Sequence, residues 1–277
     1  MRIFITGGTG FIGSYVRELL LRRGHYVLSL ERSPGRRKER SKERIIQGDL
    51  ADSLRWKDAL NAYAPDAAIH MAWEGIPQYD KRTSDKNAAY SITLFDVLRS
   101  SGCRTIVGVG SGWEHDPEAP VSFVRAKQAV REYGELLAQK SDIRFIWARL
   151  FYVYGPGQRK DSLLPSVITQ VSNGIIPDIK NPNASHDFVF VEDAADAMCD
   201  LVGSEQASGT YDIGSGSACA VGTMVSHVAL SYNYIPRPIH NTICADITRI
   251  KKDTGWEPRT LLREGIRKTA DFYSNIL

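Results

Sequence analysis

Cysteine is scarce, and its placement offers no staple. Cys103, Cys199, Cys219 and Cys244 are the only four in 277 residues, and none stands in a C-x-x-C pair. That excludes a disulfide scaffold and predicts reduced, mostly buried thiols in a cytoplasmic protein. His25, His70, His227 and His240 lack metal-ligand spacing, so no metal is expected. Charge of one sign is also in short supply. Thirty-five basic residues face 32 acidic ones for a net +3, too mild a balance for a nucleic-acid binder. The one basic run, Arg36-Arg37-Lys38-Glu39-Arg40-Ser41-Lys42, is broken by an acid and reads as a solvated loop. No apolar run is long enough to span a bilayer, and no charged-then-apolar leader precedes the first strand, so neither membrane anchor nor signal peptide is expected. There is no G-x-S-x-G elbow for a hydrolase, no internal repeat and no low-complexity tract.

What is present suits a globular enzyme. Hydrophobic residues make up 43%, enough for a large core without cross-links. Short apolar runs at 3–6, 26–30, 44–47, 67–71, 105–109 and 144–149 predict strands. Amphipathic stretches at 11–23, 54–62, 87–100 and 124–139 predict helices between them. This alternation predicts an α/β fold: a Rossmann-like doubly wound parallel sheet. Beyond residue 149 the punctuation changes, with Tyr154-Gly155-Pro156-Gly157, Ile176-Pro177 and Asn181-Pro182-Asn183 as turns. Short strands at 187–191 and 210–213 mix there with helices at 163–173, 192–202 and 261–274. We expect residues 1–155 to form the Rossmann-like domain, made an NAD(P)-binding one by the glycine-rich turn over residues 7–13, and residues 156–277 a small α+β substrate-binding region. The two should interleave, the second not folding independently.

Gly7-Gly8-Thr9-Gly10-Phe11-Ile12-Gly13 lies between the first strand and the first helix. Gly7 permits the tight turn, Gly10 lets the main chain approach a diphosphate, and Gly13 lets the helix pack close to the strand. The amides at Phe11, Ile12 and Gly13 then face an anion at the helix start. Glu31 ends the second strand about 20 residues on, where an acid meets the adenosine ribose of NAD. Arg32 would instead suit the 2′-phosphate of NADP. The acid repels a phosphate, which slightly favours NAD. Asp49, beside Leu50 after the third strand, is placed to meet the adenine.

Several segments together resemble the extended short-chain dehydrogenase/reductase family of nucleotide-sugar epimerases, dehydratases and ketoreductases. They are the glycine segment, Gly48-Asp49-Leu50, Ile69-His70-Met71-Ala72, Asn87, Tyr154-Gly155-Pro156-Gly157, His186-Asp187-Phe188-Val189-Phe190-Val191-Glu192-Asp193 and Gly255-Trp256-Glu257-Pro258. The resemblance spans the whole chain. It implies that Ala72 lines the cofactor cleft, that Ser111 offers a hydroxyl to the reacting sugar oxygen, and that Lys127 holds the nicotinamide ribose. It also implies homodimers through the helices at 87–100 and 124–139. Arg159 and Arg237 would hold the diphosphate of the nucleotide sugar.

One group is missing. The family's acid/base pair is Tyr-x-x-x-Lys, and here Phe123 stands four residues before Lys127. None of the 12 tyrosines has a lysine four residues later. A phenyl ring cannot carry a proton. Glu114, His115, Tyr152 and Tyr79 are the candidates to replace the phenol, Tyr79 on a loop expected to face the sugar. Alternatively, water or the substrate's own hydroxyl relays the proton, or the chain binds cofactor without turnover as a regulator or partner subunit. Ser111 is followed by Gly112 and Trp113 where the dehydratase branch has an acidic pair. That leaves a 4-epimerase or 4-ketoreductase acting on a nucleotide-linked deoxysugar.

Overall fold

In β1 (Arg2–Thr6), Ile3 and Ile5 point to one face of the sheet and Phe4 to the other, all fully buried. The computed structural model describes residues 1–33, 39–229, 234–236 and 242–274. From β1 the chain runs through α1 (Phe11–Arg22), β2 (Tyr26–Glu31), β3 (Glu43–Gln47) and α2 (Lys57–Tyr63). It continues through β4 (Ala67–His70), α3 (Lys81–Ser100), β5 (Thr105–Ser111), α4 (Val121–Lys140) and β6 (Arg144–Leu150). Then follow β7 (Tyr152–Tyr154), α5 (Leu163–Ser172), β8 (Ser185–Phe190), α6 (Val191–Gly203) and β9 (Gly209–Ile213). The last elements are β10 (Ala218–Ala220), α7 (Val221–Ser226), α8 (Thr248–Thr254) and α9 (Leu262–Ser274).

Seven strands form one parallel sheet in the order β3-β2-β1-β4-β5-β6-β9. Helices cover both faces, as in a doubly wound Rossmann-like fold. On one face Val16 and Leu20 of α1 and Ala194, Met198 and Leu201 of α6 bury against Ile3, Ile5, Ile146 and Ala148. On the other, Leu60, Leu94, Phe95, Ala126 and Val130 bury against Phe4, Leu28, Ile106 and Trp147. The chain leaves β1 in one direction through β2 and β3 and returns on its other side at β4. A crevice therefore opens at the carboxyl ends of β1 and β4.

A second sheet, β10-β8-β7, pairs β7 parallel and β10 antiparallel to β8. Its core gathers Tyr154, Phe190, Leu164, Ile168, Met224, Ile266 and Tyr273. The two halves of the chain cross over: β9 pairs with β6 from Ile146↔Gly209 to Leu150↔Ile213. Asp187, fully buried on β8, accepts from the amides of Ser215, Gly216 and Ala245.

Several bounds differ from expectation. The helix expected from residue 87 begins at Lys81, because the Asp80 carboxylate accepts from the Thr83 amide at 2.9 Å. The strand expected to end at 109 runs on to Ser111, which pairs with Leu150. A 3-10 turn, Ser53–Arg55, replaces the start of the helix expected over 54–62. Cys103 and Cys199 are buried, but Cys219 and Cys244 are partly exposed. Residues 36–38 of the basic run lie outside the described residues. Arg40, within the run, is engaged by Glu18 at 2.6 Å and Glu43 at 2.9 Å. Among the described residues no helix is long and apolar enough to cross a membrane, and no group of three or more His, Cys, Asp or Glu could hold a metal.

Candidate active site

The glycine segment turns at the end of β1. Gly7 has φ +74°, and a Cβ there would stand 2.7 Å from the Ala72 nitrogen. A Cβ on Gly13 would stand 2.0 Å from the Gly7 oxygen, so α1 starts closer to β1 than any side chain allows. Gly10 caps α1 without a side chain, and the first amide bonded back into the helix is that of Ser14, to the Gly10 oxygen at 2.9 Å. The Phe11, Ile12 and Gly13 amides precede it, so the helix supplies them no acceptor. Beneath the turn, the buried Arg17 donates to the Gly8 oxygen at 3.0 Å. Bare amides at the positive end of a helix, on a main chain with no Cβ in the way, fit a diphosphate.

A first chamber of about 250 Å³ opens beside this turn, lined by Gly7, Gly10, Glu31, Arg32, Asp49, Leu50, Ala72 and Trp73. Glu31 is 3% exposed. The Arg32 side chain is 67% exposed and lies 3.5 Å from Glu74, so it leans along the rim. Asp49 accepts from the Ala51 amide at 2.8 Å, and its carbonyl accepts from Trp56 Nε1 at 2.8 Å.

Behind Ala72 runs a buried polar chain that no local pattern announces. The Ala72 amide donates to Thr6 Oγ1 at 3.3 Å, which meets His70 Nδ1 at 2.7 Å. His70 Nε2 lies 2.8 Å from Ser91 Oγ, which donates to the Asn87 oxygen at 2.7 Å. With Ser91 donating onward, His70 must donate through Nε2 and accept from Thr6. Burial holds this imidazole down at about 3, so it stays neutral. Asn87 in turn accepts from the Glu74 amide and donates to the Glu74 carbonyl. The chain pins β1, β4 and α3 together at the crevice.

A second chamber of about 330 Å³ follows, at the ends of β5, β6 and β7. Phe11, Ile12, Ser111, Lys127, Phe123, Tyr79, Trp113 and Tyr152 all line it. Lys127 is 6% exposed. Its ammonium donates to the Val109 oxygen at 2.8 Å and sits 3.7 Å from the centre of the Trp73 ring. Burial brings it down to about 7, partly opposed by the Glu114 carboxylate. Phe123, one turn earlier on α4, sits edge-to-face with Trp73, Tyr79 and Trp113, with ring centres 5.1–5.7 Å away. Trp113 spans two oxygens: its amide donates to Ser111 Oγ at 3.2 Å and its Nε1 to the Tyr152 hydroxyl at 2.9 Å. Burial raises the Tyr152 phenol, and the Trp113 bond opposes that rise. Tyr152 also stacks on His186 at 4.0 Å and lines a third cavity of about 590 Å³ with Asp116, Asn183, His186 and Thr242.

The other candidates lie elsewhere. Glu114, with 1% side-chain exposure, accepts from the Ser111 amide at 3.0 Å and Trp147 Nε1 at 2.9 Å, and Arg131 lies 3.4 Å away. His115 faces Asp212 at 3.5 Å. Neither lines the second or third chamber; both border a shallow groove with Pro117 and Arg125. Arg159 donates to the Ile76 oxygen and pairs with Asp161 at 3.5 Å. Arg237 lies outside the described residues. Trp73 and Trp113 also border the second chamber. Their place could have been read from their neighbours, Ala72 and Ser111.

Comparison with known proteins agrees with this fold. The chain is similar to the dTDP-4-dehydro-6-deoxyglucose reductase of Escherichia coli, 26% identical over 305 residues covering 96% of this chain and 95% of the relative. Its fold matches the UDP-glucose 4-epimerase of Thermotoga maritima with a TM-score of 0.85 at 20% identity, over 100% and 99% of the two chains. It also matches the Thermus thermophilus UDP-glucose 4-epimerase, solved in complex with NAD, with a TM-score of 0.81 at 22% identity over all of both chains. The profile of the NAD dependent epimerase/dehydratase family matches residues 3–214, and the chain belongs to that family.

Proposed function

We propose that this protein is an NAD-dependent 4-epimerase or 4-ketoreductase of a nucleotide-linked deoxysugar, with the Tyr152 phenol in the role that Phe123 cannot fill. The observation that carries the reading is the Trp113 bridge. It binds the hydroxyl oxygens of Tyr152 and Ser111, two residues that line one chamber with Lys127.

The cofactor fits the cradle. The amides of Phe11, Ile12 and Gly13 would hold its diphosphate, and Glu31, Asp49, Leu50 and Ala72 its adenosine half. Bound NAD supplies a ring carbon that takes a hydride from a sugar carbinol carbon or returns one to a ketone. The nearly buried Glu31 carboxylate favours NAD, because the 2′-phosphate of NADP would meet its charge. Lys127 would reach the nicotinamide ribose.

Ser111 accepts from Trp113, so its own proton can go to the sugar oxygen. Tyr152 is in the same position: its oxygen is held by Trp113, and among the described residues none receives its proton. A group that exchanges its proton with the sugar oxygen while that oxygen changes between alcohol and carbonyl is a general acid/base. The aromatic wall of Tyr79, Trp113 and Phe123 suits the carbon face of a deoxysugar better than a fully hydroxylated one. Tyr79 would contact the sugar, and Arg159 and Arg237 its diphosphate. Two copies would pair through α3 and α4, where Ala89, Thr93, Ala129 and Leu136 are exposed.

The test is direct. Purified protein is mixed with NADH and 4-keto nucleotide deoxysugars, and with NAD and 4-hydroxy epimers. Oxidation of NADH or appearance of the epimer is expected. Tight cofactor binding with neither reaction would overturn the enzyme reading.

A further inference from the structure

The first and second chambers open on the same helix end. Gly7, Thr9 and Gly10 face the first, and Phe11 and Ile12 face the second. Met71 and Trp73 line both, so these two side chains form the partition between them. Met71 follows directly on β4, its amide bonded to the Thr6 oxygen at 3.2 Å. Trp73 is held differently. It stands on the loop between β4 and α3, ahead of Gly75 with φ +85°. Its indole N–H makes no hydrogen bond among the described residues. The ring rests on the Lys127 ammonium, 3.7 Å from its centre, and on the edge of Phe123 at 5.7 Å. It can leave that position without breaking a hydrogen bond.

An anion seated on the bare amides of α1 lies at the junction of the chambers. A mononucleotide can fill the first chamber and leave the indole where it is. A dinucleotide with its diphosphate on those amides has to run from one chamber to the other, through the partition. We infer that Trp73 gates the passage between the two chambers, its indole resting on the Lys127 ammonium until a dinucleotide displaces it. The inference rests on the dinucleotide reading of the cradle. Displacement costs the contact between ring and ammonium, and this lowers the affinity of the free protein for the dinucleotide.

The experiment compares NAD with ADP by calorimetry and tryptophan emission. Wild-type protein should change its emission with NAD and little with ADP. Trp73→Ala should bind NAD about tenfold tighter, the scale of one desolvated cation–π contact, and ADP within about twofold of wild type. Trp73→Phe keeps a ring in the loop should the alanine variant fail to fold. It should bind NAD between the two and lose the NAD-specific emission change. NAD affinity unchanged or weaker in both variants, with ADP affinity intact, overturns the gate and leaves the cofactor reading standing. No saturable binding of NAD or ADP to wild type overturns both.

Discussion

The Trp113 indole N–H donates to the Tyr152 hydroxyl at 2.9 Å, while the Trp113 amide holds Ser111 Oγ at 3.2 Å. One residue thus binds the hydroxyl oxygens of two residues that line the same chamber. Tyr152→Phe should lower kcat by about 10²–10⁴-fold, the usual cost of losing a positioned acid/base. Trp113→Phe keeps a ring but removes the N–H that favours the phenolate. The Tyr152 phenol should then rise further, and the basic arm of the pH–rate profile should move to higher pH. A profile identical to wild type would mean that Tyr152 does not carry the proton.

Phe123 sits among three other rings in the second chamber. Restoring a phenol there with Phe123→Tyr places a hydroxyl among ring carbons. With Tyr152 acting as the acid/base, the change in kcat should stay within about tenfold. A gain well beyond that in steady-state assays would transfer the role to position 123.

Lys127 makes stability depend on pH. Burial lowers its ammonium from the usual 10.5 to about 7. Between those values the unfolded chain binds more protons than the folded one, so this residue makes stability rise with pH across that window. Below about pH 7 its penalty is complete and constant. The slope is at most about 1.4 kcal/mol per pH unit. Urea unfolding of wild type and Lys127→Met at pH 7 and pH 9 isolates the effect, because the other titrating groups are shared. Wild type should gain about 2 kcal/mol on the variant between the two. No relative gain would show that the ammonium is better solvated than its surroundings suggest.

Gly13→Ala should abolish dinucleotide binding. The added methyl carbon would stand 2.0 Å from the Gly7 oxygen, so α1 must move away from the turn that presents its amides. We expect a loss of about 1–3 kcal/mol in unfolding free energy, with no calorimetric signal for NAD.

Glu114→Gln separates a supporting role from a chemical one. The carboxylate accepts from the Ser111 amide and Trp147 Nε1 and faces Arg131. An amide cannot accept all of these, so one donor loses its partner. A loss of about 2–3 kcal/mol should accompany any fall in activity, seen as a lower urea midpoint. Loss of activity at full stability would instead make Glu114 a proton carrier.

What could be read from the chain follows the range of the signal. The glycine turn, the alternating strands and the helical periods are local, and each needs only a few neighbouring residues. The Asp80 cap is equally local, yet no apolar period passes through it, so the first six residues of α3 give no helical signal. β7 and β10 have three residues each, too few for a period to show. The Thr6–His70–Ser91 chain joins positions 64 and 21 residues apart and depends on β1 and β4 being neighbours. Two of the three partners of Glu114 lie 17 and 33 residues away, so nothing in its own segment shows that the carboxylate is engaged by Arg131 and Trp147. Trp73 and Trp113 look like any packing tryptophan until the sheet brings Lys127 and Tyr152 beside them.

The pairing of β9 with β6 has a consequence for how the protein is made. A nascent chain emerging from the ribosome cannot cover the outer edge of β6 until residue 213 has cleared the exit tunnel. Until then that edge offers unpaired amides and carbonyls to any neighbouring polypeptide. Fragments cut near residue 155 should therefore be caught by chaperones or precipitate rather than persist as a free nucleotide-binding half.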